Sequence, residues 1–179
     1  LLGDYAEFTG AGRLSALKRR SVGILAKVIS ENRDARWEWK MSALNEYYYH
    51  AGKFKPQYEL GVKSAAGGEP WGDYSQGVGA SNYAYELALK RRLQAAAWAV
   101  TAVKAWKKFF AYKPDYYNAW VHYALALGLS GRGAEAEAAL RESGRLAGKP
   151  ASYYEFAEVR RKLAALAGAA RPAGGKERS

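Results

Sequence analysis

Few residues in this chain could do chemistry, and they are scattered. His50 and His122 are the two histidines among 179 residues. Neither has a second ligand one helical turn further on, since position 54 is Phe and position 126 is Ala. Metal and catalytic sites draw on His, Asp, Glu or Cys clustered at ligand spacing, so His122 reads as a helix-surface or groove residue. Glu69 and Asp73 stand four positions apart, which is too little for a two-carboxylate mechanism. The chain contains neither the GxxxxGK[ST] phosphate cradle nor the GxSxG nucleophile elbow. It has no cysteine, which removes disulfides, thiolate zinc sites and Cys nucleophiles. The expectation is a protein that is not an enzyme and needs no cofactor or metal.

Charge and aromatic content speak about partners. The formal net charge is +11. Basic clusters stand at Lys18-Arg19-Arg20, Lys90-Arg91-Arg92 and Arg160-Arg161-Lys162, with Lys104, Lys107 and Lys108 as a fourth. Such charge suits nucleic acid, an anionic membrane surface or an acidic protein. It is also the ordinary dress of solvated helix faces. Nucleic-acid binders pair basic surface with aromatic stacking platforms. Most aromatics here instead follow apolar stripes, and the spacing does not bring the clusters to one face. A protein or peptide partner therefore ranks ahead of nucleic acid.

The elements that must position these groups read as helices. The stretch from Pro114 to Pro150 divides into two. Trp120, Tyr123, Ala124 and Leu127 recur at i, i+3, i+4 and i+7, one apolar helical face. Gly128, Gly131 and Gly133 then interrupt, a C-cap and turn signal. Ala136, Ala139, Leu140, Ser143 and Leu146 form the next stripe, and the pair makes an αα-hairpin. A step of 34 residues takes Tyr123 to Leu89, Leu127 to Leu93, Ala136 to Ala102 and Leu140 to Trp106. Each step lands on similar character; the step from Trp120 to Glu86 does not. An aromatic also follows six residues after both Pro114 and Pro150, at Trp120 and Phe156.

A helix–turn–helix unit of about 34 residues with a closing proline resembles the tetratricopeptide repeat. Trp120, Tyr123, Ala124, Leu127, Ala136 and Leu140 carry the resemblance, with Leu89, Leu93, Ala102, Trp106 and Pro114 in a weaker copy. Lys90 stands where the family has a small residue. The resemblance implies an all-α fold, a short right-handed superhelical array of antiparallel helix hairpins. It also implies a concave groove lined by first helices. The expected function is a scaffold or adaptor that holds a protein or peptide, within a homo- or hetero-oligomer. A basic nucleic-acid-binding helical protein is the alternative, and an envelope-associated accessory protein of a bacterium the second. Groove candidates are Lys90, Tyr116, Tyr117, Asn118, His122, Tyr153 and Tyr154. Tyrosine offers large contact area at low entropic cost, although any one of these rings can equally serve interhelical contact.

The length suits one domain or one array. Residues 1–13 read as an irregular arm. Residues 14–60 read as an N-terminal helical hairpin, with Met41, Leu44 and Tyr48 on one stripe. The helix ending at Gly52 looks like a tetratricopeptide first helix, but Pro56 and the glycines after it argue against a partner helix. Residues 61–81 contain six glycines and read as a loop, in which Trp71 and Tyr74 either bind a partner or pin the loop down. Residues 82–112 are expected to be helical, either one long helix or, as the 34-residue register favours, a hairpin turning near Gln94–Ala97, with Ala99, Ala102, Val103, Trp106 and Phe110 on one face. Both Trp106 and Trp120 are expected in the core. Residues 82–168 comprise the repeats and a capping helix with Glu155, Glu158, Arg161 and Lys162 on its polar outer face. Residues 169–179 form a polar tail. No run of 18 apolar residues occurs, so no membrane span is expected. The chain starts at Leu1, and either a cytoplasmic protein or one exported after signal removal fits.

Overall fold

The computed structural model describes residues 37–148 and 154–170, with positions 20, 22–24, 27 and 31. The expected arm, most of the helix before residue 37, Pro150, Tyr153 and the tail beyond Ala170 lie outside the described residues. All regular structure among the described residues is helical. The helices are α1 (Trp37–His50), α2 (Phe54–Ala66), α3 (Trp71–Leu89), α4 (Gln94–Tyr112), α5 (Tyr117–Leu129), α6 (Gly133–Ala147) and α7 (Tyr154–Ala170). The chain divides into two compact units, Leu1–Ala80 and Ser81–Ser179.

In the first unit, α1 and α2 form a hairpin. Gln57 is fully buried and donates its amide to Asn45 Oδ1 at 2.8 Å. Tyr49 and Phe54 meet edge to face across the turn. Pro56 does not prevent this second helix. It falls in the first turn of α2, where an N–H has no intrahelical acceptor to lose.

The expected glycine-rich loop 61–81 is also helical: α2 runs to Ala66, a turn follows, and α3 opens at Trp71. The glycines serve contact between helices. A Cβ on Gly61 would sit 2.6 Å from Gln76 N and 2.7 Å from Gly72 O. One on Gly79 would sit 2.6 Å from Tyr58 N. One on Gly72 would overlap the backbone of Ala65. Backbone approaches backbone here, which only a residue without a Cβ permits. Ser64 and Ser75, both buried, continue the small-residue face.

The second unit is built around α5, which is apolar on most sides and correspondingly buried. It packs against α4, α6 and α7. Ala136, Ala139, Leu140 and Ser143 of α6 are buried, as the stripe predicts. On α4, Ala99, Ala102, Val103, Trp106 and Phe109 are buried, while Lys104, Lys107 and Lys108 are exposed. Trp106 is 0% exposed. Trp120 is only half-buried, a correction to its expected core position. It stacks on Phe110 with ring centroids 4.2 Å apart and donates its indole N–H to the Pro114 carbonyl at 2.7 Å, closing the α4–α5 junction.

The segment 82–112 is not one helix, and its turn lies at Lys90–Leu93 rather than at Gln94–Ala97. Leu89 is 55% and Leu93 96% exposed, so neither fills the apolar role that a 34-residue step gives it. The turns that close α1, α3 and α5 follow a longer interval; a similar closure at Gly68 (φ 85°, Glu69 N to Ser64 O at 3.2 Å) ends α2 outside that spacing. Gly52, Arg91 and Gly131 all have positive φ (67°, 50° and 73°) and lie 39 and 40 residues apart (91 − 52 and 131 − 91). In each turn the next N–H reaches back five residues. Lys53 bonds to Tyr48 O at 2.8 Å, Arg92 to Leu87 O at 2.9 Å and Arg132 to Leu127 O at 2.9 Å. This is the 6→1 closure of a left-handed helix C-terminus. Helix α4 has 19 residues and α6 has 15. A step that superposes their buried faces therefore cannot superpose the turns that precede them.

Exposed ion pairs finish α6. Arg132 Nε donates to Glu135 Oε1 at 2.7 Å near its start, and Arg145 Nε to Glu142 Oε2 at 2.8 Å near its end. Glu135 lies at the positive end of the helix dipole and Arg145 at the negative end. The arginine hydrogen bonds hold both carboxyls below their usual range. A depressed carboxylate pKa contributes stability at pH above the unfolded value. That contribution is lost as pH falls through the folded value. We expect the melting temperature to fall slightly more steeply with acid in the native chain than in a Glu135→Gln/Glu142→Gln variant, as calorimetry between neutral and acid pH would read. Exposure keeps the effect small.

Candidate functional site

Four helices of the second unit bring polar side chains together around the middle of α5. His122 is 1% exposed, a core residue and a correction to its expected place on the helix surface or in a groove. Its ring lies nearly parallel to Trp106, centroids 6.2 Å apart. Ser81 of α3 ties the same three helices together: its hydroxyl accepts the Trp106 indole N–H at 3.0 Å and donates to the His122 carbonyl at 3.3 Å. From α7, Glu155 Oε2 approaches His122 Nε2 to 3.8 Å, beyond hydrogen-bond range.

One turn further along α7, Lys162 pairs with Glu158. The same ammonium donates to Asn82 Oδ1 of α3 at 2.6 Å and lies 5.4 Å above the Tyr85 ring. Glu155, Glu158 and Lys162 are only partly exposed (26%, 19% and 13% of their side chains), so they do not form the solvated outer face expected of the capping helix. Arg161 does lie exposed. The lysine pairs where it would otherwise be costly to bury.

Two acceptors here have no hydrogen-bond donor: Asn118 Oδ1 on α5 and Glu155 Oε2 on α7. Buried oxygens in that state carry a desolvation cost that a bound donor would relieve.

The structure gathers part of the expected site. Asn118 and His122 share α5, one turn apart, within this cluster. The Tyr116 ring meets Phe109 edge-on at 6.0 Å and lies 6.0 Å from the Tyr117 ring, while the Tyr117 backbone carbonyl accepts from Ser143 Oγ at 2.9 Å. Trp71 and Tyr74 lie on the first turn of α3, 5.7 Å apart and edge to face, in the first unit rather than in a loop. Lys90 is exposed in the α3–α4 turn. Tyr153 lies outside the described residues, as does the side chain of Tyr154, which opens α7.

Asn82, Tyr85, Glu155, Glu158 and Lys162 were not among the sequence candidates. Only Asn82 and Lys162 carry a signal in the sequence: with His122 they are equally spaced (122 − 82 and 162 − 122), on α3, α5 and α7. Among the described residues no group of three His, Cys, Asp or Glu side chains could hold a metal ion. No helix among them is long and apolar enough to cross a membrane.

No family model, curated protein or solved structure matches the chain.

Proposed function

We infer that this chain is a non-catalytic scaffold that holds a partner protein or peptide along the face shared by α3, α5 and α7. The hairpins form a short right-handed array resembling tetratricopeptide repeats, within a larger assembly. The turn recurring at Gly52, Arg91 and Gly131 supports the array. The observation that carries the binding reading is the pair of donorless acceptors, Asn118 Oδ1 and Glu155 Oε2, on neighbouring helices. A peptide supplies what they need, through backbone N–H groups or a lysine or arginine side chain. Ser81 and Lys162 are engaged in internal bonds, which suits structure better than chemistry.

The test is capture from native lysate by the purified chain, with nuclease present, alongside the Asn118→Ala variant. Removing an acceptor that has no partner should leave the free protein as stable as before, or raise stability by up to about 1 kcal/mol. A defined protein should be captured by the native chain and bound roughly tenfold more weakly by the variant, a loss of about 1.4 kcal/mol. A fall in melting temperature with unchanged capture would sink the reading. The exposed Lys104, Lys107 and Lys108 favour nucleic acid as a second reading. Recovery of nucleic acid alone, released steeply with salt, would replace the first reading by the second.

A further inference from the structure

The α3–α4 turn carries a second surface, with no part in the cluster above. Leu93 precedes α4 in helical conformation (φ −58°, ψ −28°), so its side chain belongs to the helix surface. Leu93, Ala97 and Val100 then recur at i, i+4 and i+7, and all three are exposed. Leu93 is 96% and Val100 48% exposed, and Leu89, at the end of α3, is 55% exposed. This apolar stripe lies outside the buried face of its own helix. Cations frame it. Lys90, Arg91 and Arg92 stand at one end and Lys104 and Lys108 towards the other, all exposed. None of the five pairs with a described carboxylate.

The backbone adds an independent observation. The equivalent turns place glycine at the left-handed position, Gly52 and Gly131, but here it is Arg91, with φ of 50°. A non-glycine residue there is strained. The guanidinium is thus kept at the apex against a local backbone cost.

We propose that this stripe and its cations dock onto the surface of an anionic phospholipid bilayer, with Leu93, Val100 and Leu89 entering the headgroup boundary and the cations contacting lipid phosphates. Charge complementarity selects that occupant. A second copy would bring five unpaired cations against five. A specific protein interface needs about 800 Å² per side, far more than a few apolar side chains offer, whereas a bilayer deforms around a small apolar tip. Nucleic acid would satisfy the cations but leave the leucines against charged phosphates. Neither apolar insertion nor basic attraction suffices alone for stable attachment; the two together do.

The test is co-sedimentation of the full chain with phosphatidylcholine vesicles, with and without phosphatidylglycerol. A chain of charge +11 adsorbs to any anionic surface, so the deciding variants are Leu93→Ser and Val100→Ser, which leave charge unchanged. Binding to the anionic vesicles should weaken roughly tenfold or more for Leu93→Ser. It should weaken roughly fivefold for each cation removed in Lys90→Gln, Arg91→Gly and Arg92→Gln. Arg91→Gly also relieves the backbone, so its loss of binding cannot be a folding failure. Equal binding to both vesicle types overturns the proposal. So does binding that ignores Leu93→Ser and Val100→Ser, which would mean electrostatic adsorption alone. Capture of an acidic protein that Leu93→Ser abolishes while vesicle binding is untouched overturns it as well.

Discussion

Replacing Trp106 with alanine is expected to lower the unfolding free energy by about 3–5 kcal/mol, enough to leave the second unit partly unfolded at moderate temperature. The ring is fully buried, touches Phe109 and Phe110 of its own helix, and stacks beside His122. Its indole N–H is satisfied by Ser81. Truncation therefore leaves a cavity, takes one of the hydrogen bonds of the Ser81 hydroxyl and removes the contact between α4 and the α3–α5 pair. Trp106→Phe keeps most of the volume and loses the hydrogen bond, for an expected cost nearer 1–2 kcal/mol by the rough worth of such a bond. Denaturant melts of the two variants separate cavity from hydrogen bond. Trp120→Ala should cost clearly less than Trp106→Ala, since Trp120 is half-buried and its contacts are a stack on Phe110, an edge-to-face meeting with Tyr123 and the Pro114 carbonyl. Equal losses at both positions would mean that the second unit does not have this core.

The second large effect concerns glycine, and its sign depends on position. Gly→Ala inside a helix ordinarily stabilises by about 0.5–1 kcal/mol, because it reduces the freedom of the unfolded chain. Gly144 lies within α6 with nothing within 4 Å of an added Cβ, so Gly144→Ala should follow that rule. Gly72 lies within α3, yet its Cβ would overlap the backbone of Ala65 on α2. Gly72→Ala should therefore destabilise by roughly 1–3 kcal/mol or more, since backbone cannot rotate away as a side chain can. Two glycines in regular helix, changed identically, should move the melting temperature in opposite directions. Movement in the same direction would show that α2 and α3 do not approach this closely.

The glycines also show where sequence reading failed. Glycine density between 61 and 81 signals loop, because glycine is intrinsically poor in helices. The signal cannot distinguish a chain that needs flexibility from two helices that need to touch. The hairpin α5–α6 was legible because two independent signals agreed there: helical apolar patterning from Trp120 to Leu146, and glycine between the helices. The buried face of α4 was legible from its apolar stripe alone, except that Phe109 rather than Phe110 is the fully buried ring. Its starting turn was not, because the left-handed position holds Arg91 and carries no glycine to announce it. Of the candidate site, Asn118 and His122 could be named. Glu158 and Lys162 could not, since a charged residue on an amphipathic helix reads as solvated. Only the fold reveals that the two charges pair and that the ammonium reaches Asn82. Charge identity is local information; which way it faces is not.

The bond from Lys162 to Asn82 bears on cooperativity. It joins residues 80 positions apart, on the first and last helices of the second unit. In an array whose elements touch only their neighbours, the last helix can fray and leave the earlier ones undisturbed. Here, detaching α7 also strips the buried Asn82 carbonyl oxygen of its ammonium donor, so fraying at one end penalises the other. Amide exchange in α3 beyond Ser81 should then slow and quicken together with exchange in α7, as a single opening unit rather than as a gradient along the chain.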